Sequence, residues 1–301
     1  MKEDMKTVVL LVCILLLSVA AYAQFTFTNI DCPGATNTTA RGINNHGEIV
    51  GRAGTSPNPP HAVLISNGQC TPLAPTTVLG THRSEAFKNN DRGDVVGIYF
   101  DDDGFFHGFL LSKKGVLTTL DFPGASETYA WGISESGTVV GWWDILDANF
   151  DLVAAHGFTW DGGSFTQVDF PGSGDTQVDG INARGDLVGV WDSGPNTAGH
   201  GFVESKHGQF INFDVPVAGA TYTQLDDINA NGQIIGVYVD AAGNEHGFLQ
   251  AGATFTSLDY PGAGFTSVWG INSAGLIVGN HYDAADASTP AHGFLAVPLK
   301  K

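Results

Sequence analysis

The sequence predicts an all-β fold, a six-bladed β-propeller of four-stranded blades whose ring is closed by the N-terminal strand. Three observations predict it. A unit of about 46 residues recurs six times, which marks a repeat architecture. Each unit divides into four short runs rich in Val, Phe, Trp and Thr and bounded by Gly, Pro and Asn, a pattern of strands rather than helices. Residues 25–35, at the expected mature N-terminus, also supply the piece that the last unit lacks.

Residues 227–263, DINANGQIIGVYVDAAGNEHGFLQAGATFTSLDYPGA, show the unit best. Its His-x-Phe position recurs at His61 (here His-Ala-Val), His107, His156, His200, His246 and His292, spaced 44 to 49 residues apart. The Gly closing its N-x-x-G turn recurs at Gly47, Gly93, Gly137, Gly185, Gly232 and Gly275, so two markers count six units in one register. In the third unit, residues 129–134 (YAWGIS) and 138–143 (TVVGWW) flank a turn with a small polar residue first and Gly last. That suits a type I turn and makes the pair a hairpin. Residues 156–160 and 164–170 form a second pair across a Gly-rich turn. Four strands in this length match a propeller blade, for which about 40–50 residues is usual. The sixth unit stops after Leu295, before a fourth strand, and residues 25–35 (FTFTNIDCPGA) supply that strand and its DxPGA tail. Complementary half units suit a ring and have no use in an open solenoid.

Residues 1–23 read as a signal peptide. Lys2 and Lys6 flank a short leading region, residues 7–19 are apolar, and Ala21-Tyr22-Ala23 is a cleavage site before Gln24. Cleavage leaves 24–301 as a single domain, secreted to a periplasmic or extracellular location, with no later stretch apolar enough to span a membrane. The net charge of −18 argues against nucleic acid, whose phosphates it would repel, and a soluble monomer is expected. Cys13 leaves with the leader, so Cys32 and Cys70 are a candidate disulfide near the seam of the ring. Unit 1 departs from the repeat in its Pro-rich loop (residues 56–60) and in a tail (residues 71–75) without DxPGA. Unit 2 has Asn89-Asn90 in place of GIN, with His82, Arg83, Glu85 and Lys88 nearby. Drift in a redundant blade and a sector altered to hold a ligand both account for this.

A row of histidines invites a metal site, but the third strand of a blade does not line the axis, so six copies would not converge. A structural imidazole bonded to a carbonyl or carboxylate is the expected role. Pro-Gly in DxPG fits a type II turn, and the preceding Asp (Asp31, Asp121, Asp169, Asp214, Asp259) is expected to accept from the turn's backbone amides. The loops between second and third strands are acidic, and an aromatic precedes each. They give a candidate ligand-binding set: Tyr99 with Asp101, Asp102 and Asp103; Trp143 with Asp144; Trp191 with Asp192; Tyr238 with Asp240; Tyr282 with Asp283. Aromatic faces beside carboxylates suit sugar rings, or a Ca²⁺ ion held by oxygens, although residues 101–104 lack the spacing of an EF-hand. The competing reading packs the aromatics between blades and spends the Asp residues in turns. No nucleophile elbow, zinc-binding His pair, phosphate loop or Cys-x-x-Cys is present, so no catalytic residue and no cofactor beyond that weak calcium signal is expected. Trp131 and Trp269 precede Gly-Ile, while Asp179 and Asp226 hold the matching position in units 4 and 5, which makes the inner ring mixed.

The joint pattern GIN-x-x-G-x-I-V-G, H-G/A-F and F-T-x-L-D-x-P-G-A resembles the HAF-type extracellular repeat over residues 24–298. The resemblance implies a secreted or surface-associated bacterial protein of undefined biochemical role, and supplies no catalytic residue. The function expected from the sequence is therefore a non-enzymatic binding or scaffold propeller whose acidic, aromatic loops take a glycan or an envelope component. Two alternatives stand beside it, a polysaccharide lyase or hydrolase with an axial site and a structural or adhesive surface protein. An enzyme should show one asymmetric cluster of acids or His at the axis, confined to a few blades. A binder should show exposed aromatics on the loop face, and a scaffold a contiguous apolar patch.

Overall fold

The computed structural model describes residues 25–55, 58–73, 83–194, 197–283 and 290–299. The expected leader, residues 1–23, lies outside them, as does His82. The described residues form six antiparallel sheets of four strands, five of them in chain order from the axis outward. Blade 1 runs from its inner strand Asn37–Ile43 to its outer strand Gln69–Pro72. Blade 2 runs from Ser84–Asn89 to Leu117–Leu120, and blade 3 from Glu127–Ile133 to Phe165–Val168. Blade 4 runs from Asp175–Ile181 to Phe210–Phe213, and blade 5 from Tyr222–Ile228 to Thr254–Leu258. Blade 6 takes three strands from the C-terminal end of the chain, and Phe25–Asn29 is its fourth, paired from Phe25↔Pro298 to Asn29↔Phe294. The N-terminal strand thus closes a six-bladed propeller.

The core lies between blades rather than within them. Phe109, Phe158, Phe202, Phe248 and Phe294 of the H-G-F motif are fully buried. Each packs with a β-branched residue of the preceding blade: Val50, Val96, Val140, Val188 and Ile235 respectively. In blade 1, Val63 takes the Phe place against Val278 of blade 6. Burying each ring is worth roughly 1.5–3 kcal/mol, and no blade can collect that term alone. At the seam, a disulfide joins Cys32, just past the outer strand of blade 6, to Cys70 in the outer strand of blade 1, with a Cα–Cα distance of 5.6 Å.

The Asn of GIN does two jobs. Its side-chain carbonyl accepts from the turn it opens: Asn44 Oδ1 takes the N–H groups of His46 (3.1 Å) and Glu48 (2.9 Å). Its amide reaches the next blade. Asn229 donates to the Asn272 carbonyl (2.9 Å), Asn272 to that of Asn44 (3.1 Å), Asn44 to that of Asn90 (3.3 Å), and Asn90 to that of Ser134 (3.3 Å). These bonds satisfy buried backbone acceptors that would otherwise cost stability and clasp turn to turn around the axis.

Every inner strand carries a β-bulge at the same place, at Arg41, Phe87, Trp131, Asp179, Asp226 and Trp269. The bulge explains the Gly of V-V-G opposite it, because a Cβ on Gly141 would stand 1.8 Å from the Tyr129 carbonyl oxygen. A bulge re-aims the side chain it carries. Here it brings residues from different blades together on the axis. The Arg41 guanidinium lies 3.9 Å over the Trp269 ring, Phe87 and Trp131 stand 3.9 Å apart, and Trp131 meets Trp269 from the opposite blade at 6.5 Å.

Candidate active site

The repeated histidines pair with the repeated aspartates. His107 binds Asp121 (2.8 Å), His156 Asp169 (3.1 Å), His200 Asp214 (2.8 Å), His246 Asp259 (2.9 Å), and His292 of the last unit reaches Asp31 of the first segment (2.8 Å). His61 sits at the same place in blade 1, whose tail carries no such Asp. The expectation that these Asp side chains cap the DxPG turn is corrected. A Thr of the next inner strand takes the turn amide, as Thr128 Oγ1 does for Phe122 N (2.9 Å) and Thr176 Oγ1 for Phe170 N (3.1 Å). The carboxylates are thereby left for the imidazoles. Burial disfavours the charged rings of His107 and His246, but the flanking carboxylates outweigh it and raise both pKa values.

The loop aromatics face inward. Tyr99, Trp143 and Tyr238 are buried, and Trp191 and Tyr282 half-buried. Trp143 stacks on Phe122 (4.5 Å) and Trp191 on Phe170 (4.3 Å), Tyr99 and Tyr238 stack on His107 and His246, and Tyr282 meets Phe265 edge-on. No stack of exposed aromatic faces is offered to a sugar by these five. Asp101 Oδ1 accepts from the amides of Asp103 and Phe105, and Asp240 Oδ1 from those of Ala242 and Asn244, while the second oxygen of each meets its His. Asp192 caps Gly194 (2.8 Å), and Asp102, Asp103 and Asp283 are exposed. Asp144 alone of the set is a buried carboxylate. Among the described residues, no group of three His, Cys, Asp or Glu is arranged to hold a metal ion.

The axis is where the units differ. Blades 1 and 2 supply cations: Glu85 accepts from Arg41 Nε (2.6 Å) and Arg52 Nη1 (3.1 Å). Burial opposes its ionisation, but Arg41, Arg52 and Arg83 hold its pKa below the ordinary value. Blades 4 and 5 supply Asp179 and Asp226, both fully buried and bridged by the Gln224 amide at 3.2 and 3.1 Å. Desolvation pushes both carboxyls well above the carboxylate range, Asp179 adding to the effect on Asp226, so the pair retains a proton. One residue further along, four blades keep the Gly of GIN because a neighbouring blade crowds it: a Cβ on Gly180 would lie 2.9 Å from the Asp227 Cα. The two exceptions are Lys88 and Asp227, in blades facing each other across the ring, and they form an ion pair at 3.3 Å. Lys88 Nζ also donates to the Trp269 carbonyl. They line a cavity of about 100 Å³ on the face of the N-x-x-G turns.

A third group stands at the opposite, loop-bearing end. Asp144, on the second strand of blade 3, is the register partner of Glu127 at the start of the inner strand. Asp175 opens the inner strand of blade 4. Glu127 accepts from the Tyr129 hydroxyl (2.7 Å) and Phe106 N (3.2 Å), and Asp175 from Ala155 N (2.7 Å), which fixes both carboxylates. Asp144 is 8% exposed, and its Oδ1 is buried without a hydrogen-bond partner. Burial, then the charges of Glu127 and Asp175, push its pKa up to about 7. Burial and Glu127 likewise raise the Tyr129 pKa and keep the phenol neutral. Glu127, Asp175 and Asp227 were not among the residues singled out from sequence. A comparison of units three apart would have found Asp227, since in a six-membered ring they face each other.

The fold and its polarised axis define a six-bladed propeller with an ionisable centre. No protein-family model and no curated protein matches the sequence. Solved structures do match. The β-propeller domain of the Trilobed protease from Pyrococcus furiosus aligns with a TM-score of 0.53 at 10% identity, over 88% of this chain and 84% of that one. An acylaminoacyl peptidase from Pyrococcus horikoshii aligns at 0.54 and 11%, over 88% of this chain but 45% of the peptidase, so this chain spans less than half of that protein. A gluconolactonase from Xanthomonas campestris aligns at 0.51 and 10%, over 92% and 91% of the two chains. At such identity the likeness is one of fold. It corrects the expectation of a non-enzymatic glycan-binding propeller, because the propellers of this shape are found in a protease, a peptidase and a gluconolactonase.

Proposed function

We propose that the protein is a hydrolase-like enzyme that uses carboxylate acid–base chemistry at the loop-bearing end of the propeller axis. The observation that carries this reading is Asp144: a buried carboxyl with an unpartnered oxygen, register partner of Glu127 and faced by Asp175. Such a group holds its proton near neutral pH, where a general acid works best. In a hydrolysis, water attacks the electrophilic carbon while Asp175 or Glu127 takes its proton. The bond to the leaving oxygen breaks, and Asp144 gives that oxygen its proton. The asymmetry supports the same reading, since the most strongly raised carboxyls, Asp144, Asp179 and Asp226, fall in three consecutive blades. The Cys32–Cys70 bond supports the extracytoplasmic location expected from the leader.

The test is a panel of aryl esters, lactones and aryl glycosides assayed with the purified chain and with Asp144→Asn. One substrate class should be turned over, with kcat/KM falling as pH rises through about 7, and the variant should lose about 10²–10⁴-fold. Turnover that is unchanged in Asp144→Asn and flat from pH 5 to 9 would remove Asp144 from the chemistry.

A further inference from the structure

Blade 3 differs from its neighbours beside this site. Its second and third strands, Val139–Leu146 and Leu152–Trp160, have 8 and 9 residues where the other blades have 5 to 7, so their hairpin projects past the loop face. The projection is apolar. Phe150 is 68% exposed, Val153 58%, Leu152 46% and Ile145 38%, half of the exposed large apolar side chains among the described residues. Phe150 is also held at φ +66°, a conformation that costs a bulky side chain energy. The turn enforces it, since Asp147 Oδ1 accepts from the amides of Asn149 and Asp151. Blades 2 and 5 place Gly104 and Gly243 at this position of the same Asp-opened turn, so the strained Phe is a departure from the repeat, of the kind that clusters at functional loops.

The tip of the hairpin leads back to the carboxylate site through blade 2. Ile145 follows Asp144 in the same strand and so points to the opposite face of the sheet, but Phe150 at the tip meets Phe105 of blade 2 at 5.9 Å. The next residue, Phe106, donates its amide to Glu127 and packs on Tyr129 at 5.3 Å. From these contacts we infer that the blade 3 hairpin is a specificity subsite that takes an apolar acyl or aryl arm of the substrate, next to the bond that is cleaved. This rests on the hydrolase reading and narrows it. A fully hydroxylated sugar would leave Ile145, Leu152 and Val153 against polar groups, whereas an alkyl chain desolvates them. Each methylene buried there should raise affinity about fourfold.

Two measurements separate the subsite from the chemistry. The first is kcat/KM for p-nitrophenyl acetate, butyrate and octanoate with the wild-type chain and with Phe150→Asn/Val153→Ser. Asn tolerates the left-handed backbone at position 150 and keeps the turn. The octanoate-to-acetate ratio should exceed about tenfold in the wild type and collapse toward one in the variant. The second is calorimetric titration with n-octanamide and acetamide, which needs no turnover. Octanamide should bind the wild type and Asp144→Asn alike, and bind Phe150→Asn/Val153→Ser at least about tenfold more weakly. Absence of turnover across the esters, lactones and glycosides, with octanamide binding intact, sinks the hydrolase reading alone. An absence of chain-length preference in both measurements, or a preference that survives the double variant, overturns the subsite.

Discussion

Replacing Asp144 with Asn should stabilise the fold while it removes the activity. Folding moves this carboxyl from an ordinary pKa of 3.8 to about 7. The displacement is about three units, and at about 1.4 kcal/mol per unit it corresponds to about 4 kcal/mol. Below pH 4 the group is protonated in both folded and unfolded chains and contributes no difference. Above pH 4 the unfolded chain ionises it while the folded chain resists, so the wild type loses stability progressively until the folded carboxyl ionises near pH 7. Asn keeps the shape and never ionises. Urea unfolding at pH 4, 5.5, 7 and 8.5 would measure the gap between the two proteins. It should widen by about 1.4 kcal/mol per pH unit, reach its maximum near pH 7 and stay level beyond. A gap that is constant from pH 4 to 8.5 would show that Glu127, Asp175 and burial do not act on Asp144 as the geometry requires. A stability gain coupled to lost turnover is the usual mark of a group retained for chemistry.

Two further outcomes follow from the ring. Lys88→Met should cost about 1–3 kcal/mol by removing the cation from half-buried Asp227, whose carboxylate keeps only the amides of Ile228 and Ile271, and the pair Lys88→Gly/Asp227→Gly, which restores the repeat, should recover most of it; thermal melting of the three proteins decides. Reducing the Cys32–Cys70 bond opens a loop with a sequence separation of 38, which the chain-entropy relation values at about 4 kcal/mol; denaturant midpoints with and without reductant should differ accordingly, and equal midpoints would mean that the ring holds its seam without the bond.

The architecture was legible because every repeated letter has a structural duty. The Phe of H-G-F fills an interface between blades, the Gly of V-V-G makes room for the bulge, and the Asn of GIN clasps one turn to the next. Such duties recur from blade to blade, so they survive drift and can be counted. The site was less legible because it consists of departures from the repeat. Lys88 and Asp227 replace Gly in two units, and only the ring geometry shows that those units face each other. Asp144 read as one acid among many in the variable loops. What distinguishes it is desolvation by Trp-rich strands and the approach of Asp175 from another blade, and neither is written in local sequence. The aromatics before the loops misled for the opposite reason: side chains that suit a sugar face also suit a stack on Phe122 or Phe170.

The closure of blade 6 bears on how the molecule is made. Asp31 leaves the ribosome early, and His292, its partner, is synthesised 261 residues later. Until then Phe25–Asn29 has no strand to pair with and Val63 lacks Val278 at its back. Five blades can accumulate in order as the chain emerges, but the first must wait as an open edge, exposed to pairing with other chains. Assembly therefore includes one event that joins segments 261 residues apart in the chain. A chain halted before His292 would carry both unfinished edges, and a protease or chaperone could recognise the incomplete product by them.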